Sequence, residues 1–208
     1  MKKIKLILFI FLPIAVNTNA GFGVGTHMTD ASTLPDISAM DKTCRYQGER
    51  HIGERYVGGI VFYIYDNGHH GLIASIADQN AGIPWYNGLT RYAGTESDGL
   101  GAGAANTKII ISKLRHDDEK GNYAAKACAD YSVKIGNTVY TDWYLPSKFE
   151  LSLLYQQKKI VGGFANTNYW SSTEYKMNSV WIQYFGNGHQ RISNSESYAN
   201  AVRAIRAF

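Results

Sequence analysis

The residues best equipped for chemistry fall in a glycine-punctuated stretch, 78–103, where Trp85, Tyr86, Arg91 and Tyr92 supply rings and a cation. Such groups stack on sugar faces or grip acidic groups, and a stretch of this length without periodicity is commonly functional. Trp85 is weighed first as a plug seating the loop on the core and second as part of a binding platform. His189 and Arg191, just beyond a Gly186-Asn187-Gly188 turn, complete the candidate ligand-binding set.

Other chemical groupings are thinner. His69 and His70 share a turn, but no third ligand is near in sequence, so no metal site is expected. The run G-L-G-A-G (99–103) lacks the lysine and spacing of a phosphate loop. His116 with Asp117, Asp118 and Glu119, or His189 with Arg191, could be drafted as catalytic groups, yet each reads more simply as a polar loop. H-E-x-x-H and G-x-S-x-G do not occur in the sequence. No catalytic residue and no cofactor is assigned.

The elements that must position these groups centre on 141–155, T-D-W-Y-L-P-S-K-F-E-L-S-L-L-Y. Trp143, Tyr144 and Leu145 form strand; Pro146 stops it and holds Leu145 extended. Ser147 and Glu150 make a capping box ahead of an apolar helical run, so Asp142, Ser147 and Glu150 read as structural. Upstream, strands over 56–65 and 71–77 flank D-N-G-H-H-G as a hairpin. Asn106 caps a helix to about Leu114 with Ile109, Ile110, Ile111 and Leu114 inward, and Asn122 caps a second helix carrying Cys128. Gly136-Asn137 is a turn. Strands follow over 169–175 (with Trp170 and Glu174), 180–185, 189–193 and 201–208. In the last, Arg203 and Arg206 are an odd number apart and face opposite sides. An arginine against the core must be paired, and Glu174 is the candidate partner.

The chain opens with M-K-K-I-K, a short apolar run and N-T-N-A, the pattern of a signal peptide over 1–20. The run is too short for a membrane span, which takes about 20 residues, and no later stretch qualifies. Residues 21–43 read as a flexible leader and 44–208 as one domain. Removing Lys2, Lys3 and Lys5 leaves 18 basic residues against 17 acidic ones, so the formal charge falls from +4 to +1. Export and near-neutral charge together argue against nucleic acid as a partner. In an exported chain the pair Cys44 and Cys128 is expected as a disulfide, closing a loop of roughly 85 residues for about 2–5 kcal/mol.

The ordered set Y-V-G-G-I-V-F-Y, G-L-I-A, W-Y-N-G, T-D-W-Y-L-P-S-K-F-E-L-S-L-L-Y, Y-W-S-S-T-E-Y and A-V-R-A-I-R-A-F, from about Tyr56 to Phe208, resembles the C-terminal domain family of the Legionella collagen-like adhesin. That family looks like a cousin of the Fibrobacter major paralogous domain. The L-P-S-x-x-E-L and W-S-S-T pieces are similar, more loosely, to formylglycine-generating-enzyme and C-type-lectin-like folds. The resemblance implies an α+β, C-type-lectin-like fold with two main helices packed on twisted antiparallel sheets, and an adhesin-like role toward host glycosaminoglycan. The chain has no Gly-X-Y tract and no E-P-N or W-N-D calcium signature, so neither a stalk-driven trimer nor calcium-bridged sugar binding is implied.

The leading expectation is therefore a secreted, periplasmic or surface module that binds carbohydrate or another envelope or host-surface ligand without catalysis. The alternatives are an enzyme on a formylglycine-generating-enzyme-like scaffold and a structural or protein-interaction subunit of the envelope. An oligomer is compatible with each.

Overall fold

The computed structural model describes residues 48–87, 92–115, 121–194 and 198–208. Their strands are β1 (Arg55–Tyr56), β2 (Gly59–Tyr65), β3 (His70–Ser75), β4 (Asn80–Pro84), β5 (Val133–Ile135), β6 (Thr138–Tyr140), β7 (Asn168–Lys176), β8 (Ser179–Tyr184), β9 (Gln190–Asn194), β10 (Ala199–Val202) and β11 (Ile205–Ala207). The helices are α1 (Ala102–Arg115), α2 (Ala124–Ala129), α3 (Lys148–Gln156) and α4 (Lys158–Val161). The signal peptide, the leader, Cys44, Arg91 and residues 116–119 lie outside the described residues.

The strands assemble as a four-stranded sheet, β1-β2-β3-β11, a five-stranded sheet, β4-β10-β7-β8-β9, and a β5-β6 hairpin. The expected hairpin over D-N-G-H-H-G forms between β2 and β3. Asp66, Asn67 and Gly68 all take positive φ (52°, 53° and 85°), which short polar residues and glycine tolerate. Both large sheets are mainly antiparallel, but β10 pairs in parallel with β7 through Ala201 and Tyr169, so the second sheet is mixed.

That parallel pair arises because the expected single strand over 201–208 is two strands in different sheets. β10 belongs to the five-stranded sheet and β11 to the four-stranded one, and the chain crosses between them at Arg203 and Ala204. Arg203 is fully buried there. Its Nε donates to Asp78 Oδ1 (2.6 Å), Nη1 to the carbonyls of Ser75 (3.0 Å) and Gly162 (3.3 Å), and Nη2 to that of Gly163 (2.6 Å). The guanidinium also lies 4.0 Å from the Phe164 ring centroid. The partner is thus Asp78, not Glu174, whose carboxylate is taken up by other donors. Arg206, nearer the surface, pairs with Asp142 and lies over the Tyr140 ring.

Because side chains alternate along a strand, β2 and β3 feed two apolar cores. Val61 and Ile73 join Trp85, Ile110, Trp143 and Trp170 in one, against α1 and α2. Ile60, Phe62 and Leu72 join Leu151, Tyr169 and Phe185 in the other, against α3. Three helical expectations shift. α1 begins at Ala102, so Asn106 is an interior, buried residue and not a cap; Ile109 turns outward at 39% exposure while Ile110 and Leu114 point in. The residue at the start of α2 is Tyr123, not Asn122. The segment before Pro146 makes only a bridge, Tyr144 to Ile205, where a strand was expected.

Cys128 is a free thiol, fully buried, and the expected bridge to Cys44 is not formed. α2 turns the sulfur into the apolar core, where burial, reinforced by Asp78, pushes the thiol pKa well above its ordinary value.

Arg203→Ala would leave Asp78 with only the Tyr169 hydroxyl as a side-chain donor among the described residues, and would remove the guanidinium from three carbonyls. Urea unfolding of that variant should show a loss of about 3–5 kcal/mol; a loss below about 1 kcal/mol, the range of an exposed pair, would show that the crossover does not depend on it.

Candidate functional site

Two buried glutamates organise the loop that precedes α1. Glu174 on β7 accepts from the amides of Ala93 (3.0 Å) and Thr95 (2.9 Å) and from the hydroxyls of Thr95 (3.2 Å) and Tyr86 (3.3 Å). Glu150 on α3 accepts from the amides of Gly101 (2.8 Å) and Ser147 (2.9 Å) and from the Tyr144 hydroxyl (3.3 Å). The Ser147 hydroxyl accepts from the Glu150 amide, closing the expected capping box. G-L-G-A-G is therefore an anion cradle whose anion is the protein's own carboxylate, held at the start of α1. Gly103 is required there, because a Cβ would fall 2.2 Å from Glu150 Oε2 and 2.7 Å from the Ser147 nitrogen.

This bracing fixes the first turn of α3 against the second sheet. Pro146 O accepts from the Ser172 amide (2.8 Å), the Lys148 amide donates to Thr173 Oγ1 (3.0 Å), and Lys148 O accepts from Gln190 Nε2 on β9 (2.8 Å). From that anchored backbone the Lys148 ammonium reaches over the Trp181 ring, 3.8 Å from its centroid. Val180 and Ile182 of β8 point into the core, so Trp181 between them faces the other side and stays half-buried. Tyr175 meets it edge-on at 5.9 Å, and Ile192 is its cross-strand neighbour on β9. Tyr175 and Ile192 are 48% and 42% exposed, and Lys176 adds a second cation beside the Tyr175 ring. The result is an aromatic ledge with two lysines, built on β7, β8, the edge strand β9 and a capped helix. Rings of this kind offer flat apolar area at low entropic cost, and the ammonium groups favour hydroxyl-rich or anionic ligands.

The ligand-binding residues expected from sequence do not form one site. Trp85 and Tyr86 are core: both are buried, packed edge-to-face at 4.8 Å, with Trp85 Nε1 donating to Ser171 O (2.8 Å). They are corrected to structural residues, because an indole and a phenol with satisfied polar atoms gain more from burial than from exposure. Tyr92 remains 37% exposed, and its phenol is pushed up to about 12, chiefly by hydrogen bonding to Glu96. His189 and Arg191 are exposed at the β8–β9 end of the second sheet, with Arg191 Nη2 donating to Asn168 Oδ1 (3.2 Å). Arg191 pairs across the ladder with Ile182, a core-facing residue, and so lies on the face away from Trp181. Trp143 and Trp170, placed as structural from sequence, are buried, and Trp170 Nε1 donates to Ile83 O (2.7 Å).

Sequence reasoning did not single out Lys148, Tyr175, Trp181 or Ile192. The signal for Trp181 was the alternation V-W-I, which puts the indole opposite two core residues. Nothing local places Lys148 over it. No family model matches the chain, and no curated protein matches it.

Gly103→Ala should cost about 1–3 kcal/mol or more through overpacking against Glu150; an unchanged urea midpoint would dismiss the cradle. Burial pushes the Glu150 carboxyl up, outweighing the amides of Ser147, Gly101 and Gly103 and the Tyr144 hydroxyl that lower it. A folded pKa above the unfolded one means that the native state holds the proton more tightly, so stability is lost as pH rises through the folded value. The unfolding free energy of the wild type relative to Glu150→Gln should thus fall as pH climbs from the ordinary glutamate range. A pH series of urea melts in which that difference is flat or rising would contradict it.

Proposed function

We propose that this chain is a non-enzymatic binding module, exported to the periplasm, cell surface or medium, that recognises carbohydrate or another envelope or host-surface ligand. The observation that carries this reading is the ledge of Trp181, Tyr175 and Ile192 under the Lys148 ammonium. Those side chains are held by backbone bonds to a capped helix and a paired strand, so binding need not first order them. Its two cations suit acidic or sulfated sugars, the glycosaminoglycan class among them.

The proposal includes the family resemblance, with a C-type-lectin-like arrangement of two main helices on twisted sheets. In its support, the L-P-S-x-x-E-L helix and the W-S-S-T strand bond to each other, through Ser172 to Pro146 and Lys148 to Thr173. Among the described residues no helix is long and apolar enough to cross a membrane.

Screening the purified protein on a glycan array, then measuring affinity by calorimetry, tests the reading. Trp181→Ala should weaken binding about 30-fold, the effect of removing a central aromatic anchor worth about 2 kcal/mol. Lys148→Gln should weaken it less and reduce its salt sensitivity. Absence of any array ligand, or unchanged affinity in Trp181→Ala, would refute it.

A further inference from the structure

A second concavity lies away from the ledge, where α1, the end of α2 and segment 141–144 meet β11. Its volume is about 350 Å³. Ala104, Lys108 and Ile111 line it from one face of α1, Ala129 from α2, and Trp143 and Ala207 from the hub and β11. The spacing of four and then three along α1 makes that wall continuous. Small alanine side chains on three elements leave the space open.

The polar groups of the floor are already committed inward. Trp143 Nε1 donates to Tyr140 O (3.2 Å), and Tyr131 packs edge-on against the indole at 5.0 Å. The Tyr144 hydroxyl serves Glu150, and the Thr107 hydroxyl exchanges hydrogen bonds with the backbone of Leu145. What the floor presents is therefore apolar surface. The rim is charged. Asp142 there is neutralised by its ion pair with Arg206. Lys108, exposed on the α1 wall, makes no ion pair among the described residues. One positive charge is left over an apolar hollow.

We propose that this cleft binds a small organic acid, with a single ring or branched aliphatic body in the hollow and its carboxylate on Lys108. Ligand pockets of roughly 300–1,000 Å³ combine mostly apolar walls with a few polar groups that orient the ligand; this one stands at the small end and excludes an oligosaccharide. The site is separate in residues and ligand class from the Trp181 ledge and does not depend on it.

The experiment uses the purified protein, labelled with nitrogen-15, titrated with 3-phenylpropionate, isovalerate and the two matching neutral amides. Both acids should shift the amide resonances of Lys108, Ile111, Ala129 and Trp143. Each should bind about three- to fivefold more tightly than its amide, the increment of a partly exposed ion pair. Lys108→Gln, a surface change, should erase that discrimination, and Trp181→Ala should leave it intact. Ala104→Leu should block all four probes while keeping a dispersed spectrum. The proposal is overturned if no probe shifts these resonances at millimolar concentration, if acid and amide bind alike, or if Lys108→Gln keeps the preference. Should Ala104→Leu unfold the chain, the Lys108→Gln comparison still decides.

Discussion

A carboxylate carried into a protein core must find donors there, since an unpaired buried charge costs several kcal/mol. Glu150 and Glu174 impose this condition on the whole middle of the chain. Glu174 draws in the backbone at Ala93 and Thr95, and Glu150 draws in Gly101, Ser147 and the Tyr144 hydroxyl. The loop ahead of α1, which has no periodic structure of its own, is thereby stitched to β7 at one end and α3 at the other. It acts as a strap between two elements, and its Trp85 and Tyr86 rings serve the interior.

The second constraint is the crossing of the C-terminal segment between sheets. At that point the backbone leaves one ladder before it joins the next, and buried carbonyls around it need donors. Arg203 supplies them to Ser75, Gly162 and Gly163 while pairing with Asp78. One planar group with a fixed fork of donors can join the end of β3, the turn after α4 and the crossover itself. A lysine, with a single nitrogen, could not span these partners. The locking of the two sheets rests on this guanidinium, and Cys128 lies in the same interior as a plain apolar filler.

The surfaces suited to ligands follow from where this bracing ends. Trp181 points away from the core that Val180 and Ile182 enter, at the first turn of α3, where Lys148 reaches over the indole and the half-exposed Tyr175 meets it edge-on. The cleft beside Lys108 exists because α1, α2 and β11 converge with alanines at the contact. Both features sit on helices and strands, so their geometry is set before any ligand arrives.

Sequence by itself determined the elements with strong local chemistry. The hairpin turn is legible from Asp66, Asn67 and Gly68, the capping box from Ser147 and Glu150, strands β2, β3, β7, β8 and β9 from their residue types and flanking turns, and the core role of Trp143 and Trp170 from their neighbours. These depend on backbone preferences and on contacts a few residues apart. The tertiary structure alone decided which partner each buried charge takes, because Arg203 finds Asp78 and Glu174 finds the amides near Thr95 across separations that no local rule encodes. It also decided that Trp85 and Tyr86 are core while Trp181 is surface. An aromatic side chain is equally at home in either place. Trp85 and Tyr86 pack among Ile110, Leu114 and Trp170 on the α1 side, whereas Trp181 points away from the core that Val180 and Ile182 enter. Only the assembled fold tells them apart.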